Sequence, residues 1–389
     1  MQLKRRALKL LAKTLYGLEP ILAKELESLG AQNISEGNRA VSFEGDKELL
    51  YRANLELRTA LRILVPIASF RARDDKNFYQ QAKKIEWKDY LDNSKTFAID
   101  STTYSETFKH SQYASLKLKD AIVDKFKEET GERPSVYTFD PDFKINLHIS
   151  NNDINISLDS TGESLEKRGY RRESNEAPIS EVLAAGIIIK AWDGTKPLMD
   201  PMCGSGTFLI EAAMIASKTA PSLNRSFTFK NWNDFDAELF EKIELELKER
   251  IAAPTVSIVG KDIDGTSISK AERNAERAGV LDMIQFEKQD FLESKGSDEE
   301  SIIVMNPPYG KRIEFEKALL DAYHEIGSRL KHHYPGNTVW VIGSNIGALK
   351  KLGLKAASKT KLFNGPLECQ LHEYKLFAGK RVDQIKDKK

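Results

Sequence analysis

The chain has 389 residues, with 59 basic and 58 acidic side chains and a net charge of +1. A content of 40% hydrophobic and 30% charged residues excludes a mostly disordered chain, and the length predicts two or three domains. No stretch approaches the roughly 18 uninterrupted apolar residues of a membrane span, so no membrane partner is expected.

The N-terminus is basic, and residues 7–15 are modestly apolar. Lys9 and Lys13 interrupt that run and no small-residue cleavage site follows, so no signal peptide is expected. Residues 17–30 place Leu18, Ile21, Leu22, Leu26 and Leu29 at helical spacing and close on Gly30, which predicts a helix. A strand over residues 40–43 and a helix over 46–57 complete a small α/β unit. A second unit follows, from about residue 63 to 159. It is predicted to hold a strand at 97–101 and a helix at 114–129 with Leu116, Ala121, Ile122, Val123 and Phe126 inward. Residues 145–150 and 154–159 alternate apolar and polar around Asn151-Asn152-Asp153, a hairpin pattern.

Charge is uneven along the chain. Residues 1–90 carry 17 basic and 12 acidic side chains, residues 91–160 carry 8 and 12, and the last fifteen carry 6 and 2. Basic patches of this kind suit a phosphate backbone; they also suit a solvated face and a frayed tail.

Beyond residue 160 strands and helices alternate. Strands are predicted at 196–200, 255–259, 283–286, 301–305 and 338–342, and helices at 206–217, 265–278 and 315–331. The apolar run 182–189 fits a buried helix or strand. Two consecutive strands, 362–368 and 371–377, close the chain as an antiparallel hairpin. Repeated β–α units predict an open parallel sheet with helices on both faces.

Three motifs fall at strand ends of that sheet. Asp200-Pro-Met-Cys-Gly-Ser-Gly-Thr-Phe208 is a glycine turn between a strand and a helix. It lacks the lysine of a phosphate-binding loop, and Leu209 stands where the dinucleotide fingerprint has its third glycine. An uncharged or zwitterionic nucleotide-like ligand remains, with Asp200 placed to accept from an ammonium; an ordinary tight turn is the plainer alternative. Val259-Gly-Lys-Asp-Ile-Asp264 ends the next strand. Asp262 is the expected acceptor for ribose hydroxyls and Ile263 an adenine-packing residue, while Asp264 is placed to cap the following helix. Asp290 supplies a further acid at the same edge, for an adenine amino group.

The most specific motif is Met305-Asn306-Pro307-Pro308-Tyr309-Gly310. An exocyclic amine on a base is a poor nucleophile because its lone pair is delocalised. The Asn306 side-chain oxygen and the Pro307 carbonyl can each accept an N–H and turn that lone pair toward an electrophile. The two prolines, Pro307 and Pro308, fix the acceptors in place, and Tyr309 offers a face on which a flipped base stacks. No strong base is required. The six histidines show no ligand spacing, so no metal is expected. Cys203 and Cys369 cannot form a disulfide framework, which points to a reducing compartment.

Together the glycine loop and Asn-Pro-Pro-Tyr-Gly resemble the class I S-adenosylmethionine-dependent amino-methyltransferases. The stretch Lys167-Arg-Gly-Tyr-Arg-Arg172, followed by Ala177-Pro-Ile-Ser-Glu-Val-Leu-Ala-Ala185, resembles the segment before the catalytic domain of THUMP-containing RNA methyltransferases. The N-terminal modules also resemble that family, and the nearest group is the bacterial 23S rRNA guanine-N2-methyltransferases, in a short form without a fused second methyltransferase domain. The resemblance implies a Rossmann-like class I domain, with a mostly parallel seven-stranded sheet and an antiparallel last strand, behind α+β ferredoxin-like and THUMP modules. It implies domains at 1–65, 66–160 and 161–389, and a cytoplasmic enzyme.

By position, the resemblance assigns Asp200, Gly204 and Gly206 to the methionine part of S-adenosyl-L-methionine, Asp262 and Ile263 to its nucleoside, Asp290 to the adenine amine, and Thr207 to the cofactor site. Ala177, Pro178 and Ile179 close over the cofactor. Asn306, Pro307, Pro308 and Tyr309 hold the target amine and base. Lys167, Arg168, Arg171 and Arg172 meet RNA phosphate, unless they are a basic interdomain linker. The implied reaction is direct transfer to guanine N2, leaving S-adenosylhomocysteine. The implied partner is 23S rRNA or a large-subunit precursor, with tRNA as alternative substrate and a non-catalytic assembly factor as the different-class alternative.

Overall fold

The computed structural model describes residues 7–172, 178–296, 299–308 and 316–377. The chain divides into two units. One comprises Met1–Thr14, Ala23–Leu165 and Ser222–Leu245; the other comprises Leu15–Leu22, Glu166–Pro221 and Glu246–Lys389.

The first unit draws on β1 (Leu8–Thr14), α1 (Glu19–Ser28), β2 (Gln32–Gly37), β3 (Ala40–Gly45), α2 (Lys47–Glu56) and β4 (Ala60–Arg71). α3 (Asp75–Lys83), β5 (Thr96–Tyr104), α4 (Ser111–Thr130), β6 (Ser135–Val136), β7 (Phe143–Ser150) and β8 (Asp153–Asp159) follow. The strands form one eight-stranded sheet in the order β2-β3-β1-β4-β8-β7-β5-β6. β4 pairs with β1 on one side and β8 on the other, so the two α+β modules share a continuous sheet. The expected β7–β8 hairpin is present. Its loop is Asn151-Asn152, with Ser150 opposite Asp153 and Asn151 at φ 53°, a left-handed conformation asparagine tolerates. Leu116 corrects the inward face expected for α4: it is 49% exposed. The buried stripe runs through Ala114, Leu118, Ala121, Ile122 and Phe126, and a residue two positions from Ala114 lies on the opposite side of a 3.6-residue helix. Residues 222–245, remote in sequence, join this unit, where Phe229 stacks on Tyr51 with ring centroids 4.7 Å apart.

The second unit draws on α5 (Glu181–Ala191), β9 (Leu198–Asp200), α6 (Thr207–Ala216), the end of α7 (Ala237–Glu249, whose residues up to Leu245 belong to the first unit), β10 (Ile258–Asp262), α8 (Gly265–Arg277) and β11 (Gln285–Lys288). β12 (Ile302–Met305), α9 (Glu316–His333), β13 (Thr338–Gly343), α10 (Ile346–Lys351), β14 (Ser358–Asn364) and β15 (Leu367–Lys375) complete it. Its sheet has seven strands in the order β11-β10-β9-β12-β13-β15-β14. β15 alone runs antiparallel to its neighbours, β13 and β14, as the Rossmann-like expectation required. Strand order reverses between β9 and β12, the place where open α/β sheets bind ligands at the carboxyl ends of their strands.

Among the boundaries that differ from the sequence reading, two have a local cause. β10 begins three residues later than expected and includes Gly260. A Cβ there would meet Leu209 Cδ1 at 2.3 Å and Phe286 Cδ1 at 2.9 Å, so any larger residue would have to displace these side chains. The closing hairpin turns at Gly365-Pro366, which places Leu367 and Glu368 on the second strand. Gly365 has φ 60°, the first central position at which a type II′ turn favours glycine. The ambiguous apolar run 182–189 is helical, and α5 is buried along most of its length.

Candidate functional site

β9 ends on Asp200, a buried acid, and the glycine loop carries the chain from there into α6. Burial, and next to it the charge of Asp262, pushes the Asp200 carboxyl up to about 8. Asp200 Oδ1 accepts from the Met202 N–H at 3.0 Å. Gly204 and Gly206 take φ 53° and 82°, which a side-chain-bearing residue rarely adopts. A Cβ on Gly206 would also fall 2.9 Å from that of Ala271 on α8. From α8, the buried Asn274 side-chain amide donates to the Ser205 carbonyl at 3.2 Å. Cys203 is buried in the loop, and its thiol is pushed up by burial, as suits a packing residue.

Asp262 ends the neighbouring strand. Its Oδ2 accepts from the Gly204 N–H at 2.9 Å and its Oδ1 from the Asp264 N–H at 2.9 Å. A carboxylate has about four lone-pair sites, so two remain for the hydroxyls of a ligand. Asp264 caps α8: it accepts from the Thr266 hydroxyl at 2.6 Å, the Thr266 N–H at 2.9 Å and the Ser267 hydroxyl at 3.0 Å, which hold its carboxyl down at about 2. Asp264 thus makes the cap expected of it, and Asp262 braces the glycine loop. Ile263 is 63% exposed, and Asp290, half-buried after β11, accepts from the Leu292 N–H at 2.9 Å.

Asn306 follows β12, the strand on the other side of β9. Its Oδ1 is buried and accepts no hydrogen bond among the described residues. A buried polar atom left unpaired costs about 1–3 kcal/mol, so such an atom in a cleft marks a place where a ligand donor completes the site. Asn306 lines one cleft of about 410 Å³, open to solvent, together with Asp200, Gly204, Thr207, Pro178 and Ile179. Pro307, buried, and Pro308, half-buried, follow it. Met202, Cys203, Ser205 and Phe208 also line the cleft. They sit inside the glycine motif, so adjacency to Gly204 was the available signal for them. Ala177 and Tyr309 lie outside the described residues.

A family profile described as RMKL-like, methyltransferase domain, matches residues 168–373, more than half of the chain. This chain belongs to the RMKL-like methyltransferase family. Profiles for the RlmL ferredoxin-like domain and the THUMP domain match residues 9–64 and 72–159. A Synechocystis protein named "Putative RNA methyltransferase slr0064" is 38% identical over 367 residues, 93% of this chain and 95% of that one. Ribosomal RNA large subunit methyltransferase K/L of Aliivibrio fischeri strain MJ11 is 39% identical over 376 residues, 95% of this chain. The match takes in 53% of the Aliivibrio protein, so the chain spans about half the length of the K/L relatives it matches. Among solved structures, SMU.472, described as a putative methyltransferase complexed with SAH, superposes with TM-score 0.87 at 31% identity, over 98% of this chain and 100% of that one.

In this RMKL-like methyltransferase the basic cluster 167–172 does not face outward as a whole. Lys167 and Arg172 are exposed. Arg168 is corrected: its side chain is fully buried, with Nε 3.4 Å from Oε1 of the equally buried Glu211, which also accepts from the Tyr170 hydroxyl at 3.0 Å. Arg171 is likewise corrected. It donates to the Ile179 carbonyl at 2.7 Å and to Glu181 at 2.6 Å, a partner whose carboxyl burial raises to about 7. Two of the four cations are thus spent inside the fold, because buried acids on α5 and α6 require them. Among the described residues no helix is long and apolar enough to cross a membrane, and no group of three or more His, Cys, Asp or Glu is arranged to hold a metal ion.

Proposed function

We propose that this chain is an RNA methyltransferase that transfers a methyl group from S-adenosyl-L-methionine to the exocyclic N2 of a guanine in 23S rRNA. The observation that carries the reading is the buried Asn306 Oδ1, without a partner among the described residues, at the cleft that Asp200 and Gly204 also line. The family, the named relatives and the SAH-bound neighbour support the same reaction class.

The residues present fit the cofactor. Asp262 keeps acceptor capacity for a ribose diol, Asp200 is placed for an ammonium, and the Gly204–Gly206 backbone leaves close approach open. When bound, S-adenosyl-L-methionine supplies a methyl group on a positively charged sulfur. Asn306 Oδ1 and the Pro307 carbonyl accept the two N–H bonds of the target amine and leave its lone pair free. The prolines hold these acceptors without reorganisation, and most of the rate comes from that placement. Asp290 meets the adenine amine, Ile263 its face, and Thr207 the methionine end. Exposed Lys167 and Arg172 meet phosphate. The compartment is the cytoplasm.

Tritiated S-adenosyl-L-methionine and the purified full chain test this reading with three acceptors: 23S rRNA lacking the modification, unmodified tRNA and duplex DNA. Label in N2-methylguanosine from 23S rRNA is the expected result. Label only in tRNA keeps the chemistry and moves the substrate. No label in any nucleic acid, with the cofactor bound, overturns the RNA-methyltransferase reading in favour of a protein substrate or an assembly factor.

A further inference from the structure

Pro178 and Ile179 form a wall of the cleft, and they and Ser180 belong to neither a helix nor a strand. Their backbone is held by side chains that arrive from elsewhere in the sequence. Asn364 Nδ2 donates to the Pro178 carbonyl at 3.2 Å, and the Ser180 N–H donates to Asn364 Oδ1 at 3.2 Å. These two bonds flank Ile179 in the pattern by which a strand residue bridges a parallel neighbour, here supplied by a side-chain amide. Asn364 is the last residue of β14, and the turn at Gly365 fixes where it stands. Between its two contacts, Arg171 holds the Ile179 carbonyl. Ser180 then accepts from the Leu183 N–H at 3.2 Å and starts α5.

We propose that Asn364 is a positioning residue for the cofactor: through Pro178 and Ser180 it sets the cleft wall and thereby the affinity for the S-adenosyl group. This rests on the cofactor reading above. Asn364 touches no reacting atom in this scheme. Its loss loosens the wall that meets the cofactor and leaves the Asn306 turn in place. The expected signature is therefore a change in cofactor affinity without a matching change in the turnover of the saturated enzyme.

Full-length Asn364→Ala and Asn364→Asp are compared with the unaltered chain by calorimetry with S-adenosylhomocysteine, by transfer kinetics and by amide hydrogen exchange over residues 179–183. Asn364→Ala loses two hydrogen bonds, so Kd and the cofactor KM rise about ten-fold, with kcat at saturating cofactor within about two-fold. Asn364→Asp keeps the acceptor for Ser180 and loses the donor to Pro178, and its Kd rises about three-fold. Exchange at Ser180 speeds up in the alanine variant. If the alanine variant does not fold, the aspartate variant decides alone. An unaltered chain that binds and a folded variant of equal affinity overturn the positioning role by itself, even if the melting temperature falls. An unaltered chain that does not bind S-adenosylhomocysteine overturns the cofactor reading, and the positioning role with it.

Discussion

The two sides of the cleft are built on opposite rules. On the β9–β10 side the chain answers its own polar groups: Asp200 takes the Met202 N–H, and Asp262 takes the Gly204 and Asp264 N–H groups. On the β12 side Asn306 Oδ1 is buried without a described partner. The first side is a shape held ready by internal bonds. The second, among the described residues, leaves a buried acceptor unused, to be met in the proposed reading by a donor on the substrate. The difference predicts that substitutions on the two sides separate binding from chemistry.

The largest expected effect is at the reserved acceptor. Asn306→Ala lowers the transfer rate by about 10²–10³-fold, the loss typical when one aimed polar group is removed from a reacting centre. S-adenosylhomocysteine affinity stays close to that of the unaltered chain, because in the proposed reading Asn306 serves the amine and not the cofactor. Single-turnover transfer and calorimetry read the two quantities separately. Full activity in this variant would break the comparison and remove Asn306 from the mechanism.

The opposite result is expected across the cleft. Gly206→Ala forces a side chain into φ 82° and against Ala271, 2.9 Å away. The strain is about 1–3 kcal/mol, visible as a lower urea midpoint, and it comes with a loss of cofactor binding because the loop shape is lost. A variant that unfolds earlier yet binds normally would show that the loop shape is not what the ligand reads.

These contrasts also mark what a sequence discloses. The glycine turn, the acids at strand ends and the Asn-Pro-Pro run were legible because each joins a local conformational need to a chemical group within a few residues. Strand–helix alternation disclosed the sheet in the same way. What stayed hidden depends on long-range contact. Nothing local distinguishes Arg168, ion-paired with Glu211, from exposed Lys167; the difference lies in an acid 43 positions away. Asn364 at a hairpin end reads as a turn former, and its bonds to Pro178 and Ser180 span more than 180 positions. The membership of residues 222–245 in the first unit is decided by Phe229 meeting Tyr51, which periodicity cannot express. Leu116 is a different failure: the pattern was present, and an inward position was assigned two residues off the true stripe.

The smallest expected effect concerns pH and falls on the self-satisfied side. Burial first, then Asp262, raises the Asp200 carboxyl to about 8, whereas an unfolded aspartate titrates near about 3.9. Between those values the folded chain binds a proton that the unfolded chain does not. Stability therefore falls as pH rises through this window, and levels off above about pH 8. Glu181, raised to about 7 by burial, adds a slope of the same sign that fades above that value. From pH 7 to 8 Asp200 contributes a slope of at most about 1.4 kcal/mol per pH unit, beside any from Glu25 and Asp159, whose carboxyls burial also raises. Asp200→Asn reduces the slope between pH 7 and 8 in urea unfolding, and a slope that persists unchanged there would assign it to another group. The same reasoning sharpens the comparison with Asn306. A cationic ligand group beside Asp200 favours its ionised form, so binding near pH 7 releases a proton, which calorimetry in buffers of different ionisation enthalpy detects. Proton release that survives Asp200→Asn would separate this carboxyl from the cationic end of the ligand.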